Sequence, residues 1–231
     1  MDTQAVITHI ARWLDEYAAR ANAKGFVVGV SGGIDSAVVS ALAARTGRPT
    51  LLLDMPIRQH PGQLERARLH IRNLQRQYAN VSAQTVDLTD TFQTFEQTVG
   101  AHQTAFDSQP LSLANARSRL RMLTLYYYGQ IHGLLVTGTG NKIEDFGVGF
   151  FTKYGDGGVD ISPIADLTKT QVYRLAEALG VDEAIQKAPP TDGLWDTERT
   201  DEEQMGASYP ELEWAMGVYG TRKPEDFEGR Q

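Results

Sequence analysis

The stretch FVVGVSGGIDSAVVSALAA, residues 26 to 44, limits most strongly what this chain can fold into. It passes from a β-branched run through a glycine turn into an alanine-rich helical pattern. Strand, tight turn and helix in that order aim backbone N–H groups and a positive helix end at one spot, which suits an anion, here a phosphate. Gly32 and Gly33 permit positive φ and close backbone approach, and Ser31 and Ser36 add hydroxyl donors. Asp35 is the odd residue. A carboxylate beside a phosphate nest repels its guest unless a divalent cation stands between them, which assigns Asp35 to Mg²⁺; it also reads as an acidic first-turn residue favoured by the helix dipole. The turn is not a Walker loop, because GxxxxGK[ST] is absent and no lysine follows the glycines, so chemistry other than γ-phosphate transfer is expected.

Strand-like runs at 26–30, 50–54 (TLLLD), 82–86 and 134–138 (LLVTG) alternate with helical patterns at 36–46, 62–78 and 111–130, after an amphipathic helix over 3–22. Such alternation predicts an α/β fold: a doubly wound, mostly parallel, Rossmann-like sheet with helices on both faces, in one domain over 1–231. Ligands of open α/β sheets bind at strand carboxyl ends. Two segments therefore become candidate sites, SGGIDS after the first strand and GTGNKIED after LLVTG.

The chain has no cysteine, which excludes disulfides, thiolate zinc sites and a cysteine nucleophile. No apolar run approaches the roughly 18 residues of a membrane span, and the N-terminus lacks a signal-peptide layout, so a cytoplasmic protein is expected. Residues 1–191 carry 18 acids and 18 bases, whereas 192–231 carry 11 acids and 4 bases. An acidic end of this kind is a poor footprint for nucleic acid and reads as a solvated surface.

SGGIDS resembles the signature SGGxDS of the ATP pyrophosphatases, the adenine nucleotide alpha hydrolase-like group that cleaves ATP between its α and β phosphates. Members include GMP synthetase, asparagine synthetase, tRNA-modifying ligases and NAD synthetase. NARSRLRM, GTGNKIEDFGVGFFTKYGDGGVDISPIADLTKTQVYRLAEALG and KAPPTDGLW, in order across 115–195, resemble the NAD synthetases in particular. Carried over position by position, the resemblance implies Asp35 and Glu144 as Mg²⁺ ligands. It implies Gly29, Ser31, Gly32, Gly33, Asp35, Ser36, Met55, Thr139, Lys169 and Thr191 as ATP contacts, and Arg119, Lys153 and Asp160 as dinucleotide contacts. Asp35, Lys169 and Asp160 are its implied catalytic residues. Taken alone, Lys169 also reads as an exposed first-turn residue. Spacing leaves open which of Arg117, Arg119 and Arg121 points inward, and two of the three are expected to be solvated.

The implied reaction amidates nicotinic acid adenine dinucleotide with ammonia at the expense of ATP, through an acyl-adenylate. Glutamine-using relatives carry a glutaminase domain with a cysteine nucleophile, so free ammonia is expected here. The alternatives are an ATP pyrophosphatase acting on another acid or on tRNA, and a non-catalytic nucleotide-binding remnant. The resemblance further implies a homodimer, for which Met122, Leu123, Tyr126 and Tyr127 offer an apolar face, although the same residues also suit a monomer core. Family members continue to a helix and a His-Lys pair that contacts the dinucleotide, whereas this sequence ends at PEDFEGRQ. Weakened dinucleotide binding is the expectation that follows.

Overall fold

The computed structural model describes residues 1–100, 108–195 and 199–219. The end of the sequence, PEDFEGRQ, and the last part of the acidic segment lie outside the described residues.

Four strands form a parallel sheet in the order β3-β2-β1-β4: β1 Gly25–Gly29, β2 Thr50–Asp54, β3 Val81–Thr85 and β4 Leu134–Val136. Each coincides within two residues with a run expected from β-branched and leucine-rich stretches. The chain winds outward from β1 through β2 to β3, then returns across the sheet to place β4 on the other side of β1. The crevice between the carboxyl ends of β1 and β4 is thus the topological switch point, where such sheets bind ligands.

Alternation along the strands divides the core into two layers. Phe26, Val28 and Leu52 face helices α1 (Thr3–Arg20), α2 (Ile34–Arg45), α3 (Pro61–Gln77) and α6 (Lys169–Ala178). Val27, Leu51 and Leu53 face the opposite side, against Phe92 of α4 (Thr89–Thr98) and Leu113, Ala116 and Leu120 of α5 (Gln109–His132). Helices on both faces of a parallel sheet are the expected doubly wound arrangement. Buried on both sides, β1 and β2 need the near-continuous apolar runs that the sequence supplies.

α4 does not stand out in the sequence because its residues TDTFQTFEQT give it only a narrow apolar stripe. Lys142–Val148 form a π-helical segment after β4, a geometry often found at functional sites. Past α6 come the short α7 (Glu183–Gln186) and α8 (Asp201–Met205), then α9 (Tyr209–Tyr219), which packs on the π-helical segment and on α6.

Candidate active site

The glycine turn opens the crevice. Gly32 has φ of +85°, and a Cβ at this position would overlap the carbonyl oxygen of Gln63 in α3, so no larger residue fits. Gly33 stands at the N-cap of α2 without a side-chain capping bond, leaving the helix start open to an anion. The two serines staple the turn. Ser36 Oγ donates to the Gly33 carbonyl at 3.0 Å, the Ser31 and Ser36 hydroxyls lie 3.2 Å apart, and Gly33 N–H donates to Ser31 Oγ at 3.2 Å.

Across the crevice, the segment after β4 brings Glu144 to face Asp35. Between them lies Lys169 Nζ, 2.7 Å from Asp35 Oδ2 and 2.8 Å from Glu144 Oε1. Lys169 is the first residue of α6 and is only 2% exposed, so it is a first-turn lysine but not a solvated one. Burial works against its charge, yet the two carboxylates outweigh burial and raise its pKa. Asn141, fully buried, caps the π-helical segment with its side-chain oxygen and donates its amide N–H to Asp35 Oδ1 at 3.1 Å. Burial raises the pKa of Asp35, aided by Glu144 and opposed by Lys169. Glu144 moves the other way: burial is outweighed by Lys169 and by hydrogen bonds from Lys169 and Tyr209, which hold its pKa down.

A cleft of about 360 Å³ runs along this edge of the sheet. Gly29, Ser31, Gly32, Gly33, Asp35, Ser36, Met55, Thr139, Glu144 and Thr191 all line it, and Lys169 lies behind Asp35 and Glu144. Arg119, Lys153 and Asp160 are exposed and lie outside the lining, although their neighbours Thr152, Gly155, Asp156, Gly158 and Val159 belong to it. Arg119 Nε donates to the Lys153 carbonyl at 3.1 Å. Asp160 ties its loop to the sheet: Oδ2 accepts the Val136 N–H at 2.8 Å and Oδ1 the Tyr126 hydroxyl at 3.0 Å.

The arginines reverse the expectation that two of three are solvated. Arg117 is buried over the Phe92 ring, Arg121 reaches the Met55 carbonyl at 3.1 Å and Gln59 Oε1 at 2.7 Å, and Arg119 alone is exposed. The apolar residues of α5 run round the helix, so spacing there does not identify the inward face. Sequence reasoning also passed over Asn141, Tyr209 and Asp201. Asn141 sits inside a quoted motif and was within reach; Tyr209 and Asp201 lie far along the chain, with no local signal. Tyr209 donates its hydroxyl proton to Glu144 Oε1 at 2.5 Å, and the same hydroxyl lies 3.3 Å from Asp201 Oδ2. Burial, with Glu144 nearby, pushes Asp201 up to about 7, and burial with Asp156 and Glu144 does the same to Asp145.

A glycine turn at one strand end, a carboxylate–lysine–carboxylate cluster at the next, and a cleft between them make an arrangement suited to a polyphosphate. The sequence matches the model of the NAD synthase family over residues 6–229. The chain belongs to the NAD synthase family. Among its relatives in that family, the NH(3)-dependent NAD(+) synthetase of Carboxydothermus hydrogenoformans is 40% identical over 94% of this chain and 87% of its own length. That of Methanocaldococcus jannaschii is 36% identical, over 97% of this chain and 85% of its own. The solved structure of NMN synthetase from Francisella tularensis superposes with a TM-score of 0.86 at 33% identity, covering 94% of this chain and 87% of that one. An NH3-dependent NAD synthetase from Campylobacter jejuni gives 0.73 at 28%, covering 97% and 90%.

Proposed function

We propose that this NAD synthase family member is an ammonia-dependent ligase that amidates nicotinic acid adenine dinucleotide to NAD⁺, consuming ATP to AMP and pyrophosphate. The observation that carries the reading is Lys169 Nζ held between Asp35 and Glu144, beside the uncapped start of α2. A carboxylate is a poor acyl donor because its leaving group is oxide. Its oxygen therefore first attacks the α-phosphorus of ATP, and the bond to the bridging oxygen breaks to release pyrophosphate. Ammonia then attacks the acyl carbon, gives up a proton, and AMP departs with the former carboxylate oxygen. The backbone N–H groups at the start of α2 bind departing phosphate oxygens, and Lys169 supplies an ammonium beside Asp35 and Glu144. Residues 1–231 act as one domain in this reading.

Asp35 and Glu144 are the residues that would hold Mg²⁺. Their donor chemistry fits: two hard carboxylates that already reach one cation, the Lys169 ammonium, offer oxygen ligands of the kind magnesium takes. The cleft's charge points the same way, since among the described residues seven carboxylates and two arginines line it, and a bare polyphosphate would be repelled. Bound there, the ion would neutralise charge growing on pyrophosphate.

A second reading concerns substrate length. The high TM-score to a protein described as an NMN synthetase supports nicotinic acid mononucleotide as the acid instead. One experiment addresses both. The chain is incubated with ATP, Mg²⁺ and ammonium plus either acid, and amide, AMP and pyrophosphate are quantified. Equal amounts of the three are expected, with the larger kcat/KM naming the substrate. Release of ADP and orthophosphate would refute the ligase reading. The same proposal places the enzyme in the cytoplasm as a homodimer; among the described residues no helix is long and apolar enough to cross a membrane.

A further inference from the structure

Tyr209 and Glu213 lie four residues apart on α9 and therefore share one of its faces. The Tyr209 hydroxyl donates to Glu144 Oε1 at 2.5 Å, the same oxygen that Lys169 Nζ reaches at 2.8 Å. The tyrosine ring also lies beneath that ammonium, with Nζ 4.7 Å from the ring centroid. One turn further on, Glu213 Oε1 accepts the backbone N–H of Thr170 at 2.7 Å. Thr170 follows Lys169 in the first turn of α6, where backbone N–H groups have no partner within the helix. A single helix thus touches both halves of the cluster: the carboxylate carried by the π-helical segment and the turn that carries the lysine.

We propose that α9 is a positioning clamp for the Glu144–Lys169 pair, with Tyr209 and Glu213 as its two positioning residues. The inference rests on the reading of that pair as part of the ligase site. A carboxylate whose one oxygen receives both a hydroxyl proton donor and an ammonium has its rotation restricted, and a helix start pinned by a carboxylate cannot drift. Filling space needs only the tyrosine ring. Setting the direction of Glu144 needs its hydroxyl.

Tyr209→Phe separates the two roles, because it keeps the buried ring and its contact with the ammonium and removes one proton donor. Glu213→Ala removes the second contact at a half-buried position, and Lys169→Ala serves as the reference. Steady-state kinetics with ATP varied and thermal melting are measured for all three. The clamp predicts that Tyr209→Phe lowers kcat roughly ten- to a hundredfold, the equivalent of one hydrogen bond to a charged group, with KM for ATP changed less than about twofold and melting nearly unchanged. Glu213→Ala should shift kcat in the same direction by a smaller factor. If Lys169→Ala is inactive while both α9 variants keep the parent kcat, the clamp is overturned and the site stands. Losses of kcat that track losses of melting temperature in both variants also overturn it, by showing a merely structural role. An active Lys169→Ala overturns the reading of the site itself, and the clamp with it.

Discussion

A lysine at the first position of a helix puts its charge at the positive end of the backbone dipole, where a cation is disfavoured by about 0.3–1 kcal/mol. Lys169 occupies that position and is buried as well, so nothing local stabilises it; Asp35 and Glu144 supply the compensation from two other segments. The crowding of carboxylates around the cleft has a consequence for stability. Asp201 titrates at about 7 in the fold against 3.8 in an unfolded chain, so the folded state binds the extra proton. The stability this contributes is complete below the unfolded pKa and is lost as pH rises through about 7. Its Oδ1 atom, buried with no hydrogen-bond partner among the described residues, makes the ionised form costlier still. Asp201→Asn should therefore stabilise the nucleotide-free protein at about pH 8 by roughly 1–3 kcal/mol, with little effect near pH 5. Urea unfolding at both values checks this, and parallel shifts at the two would contradict it.

At the scale of elements, the turn between β1 and α2 joins local rule and tertiary need. Gly32 is legible as a turn residue from GG alone, and the left-handed φ agrees. What the sequence does not reveal is that the Gln63 carbonyl of α3 closes over it. Gly32→Ala should cost about 2 kcal/mol or more in stability, because the backbone strain and the overlap add, and should weaken ATP binding by distorting the turn. Denaturant midpoints and calorimetric titration with ATP measure the two effects; parent-like affinity would show that the turn does not grip the nucleotide. The strands were legible because short β-branched and leucine-rich apolar runs are written residue by residue. α4, with its narrow apolar stripe, and the π-helical segment were not, because their conformation is fixed by what they pack against rather than by their own pattern.

For the whole molecule, α5 has one side on the sheet and, among the described residues, one exposed side. Leu123, Tyr127 and Ile131 recur every four residues on it at 62%, 61% and 58% exposure, in line with Arg119. A stripe of this kind suits the proposed homodimer. Replacing both Leu123 and Tyr127 by Glu should convert a dimer to a monomer in sedimentation velocity while leaving the melting of the protomer near that of the parent. A monomeric parent chain at micromolar concentration would end the dimer reading.

From the sequence alone came the parallel sheet, the two candidate segments at strand carboxyl ends and the glycine turn, because each follows from the alternation of short runs or from turn chemistry among near neighbours; the switch point between β1 and β4 needed the strand order. Asp35 became a candidate metal ligand there from its place beside the turn, and Glu144 through resemblance to a family. Only the tertiary structure decided that Lys169 lies between them, that Arg117 and Arg121 rather than Arg119 turn inward, and that Tyr209 reaches Glu144 from 65 residues away. The physical reason is that a buried charge or proton donor is fixed by partners that only packing brings together, and the sequence around such a residue carries no trace of them.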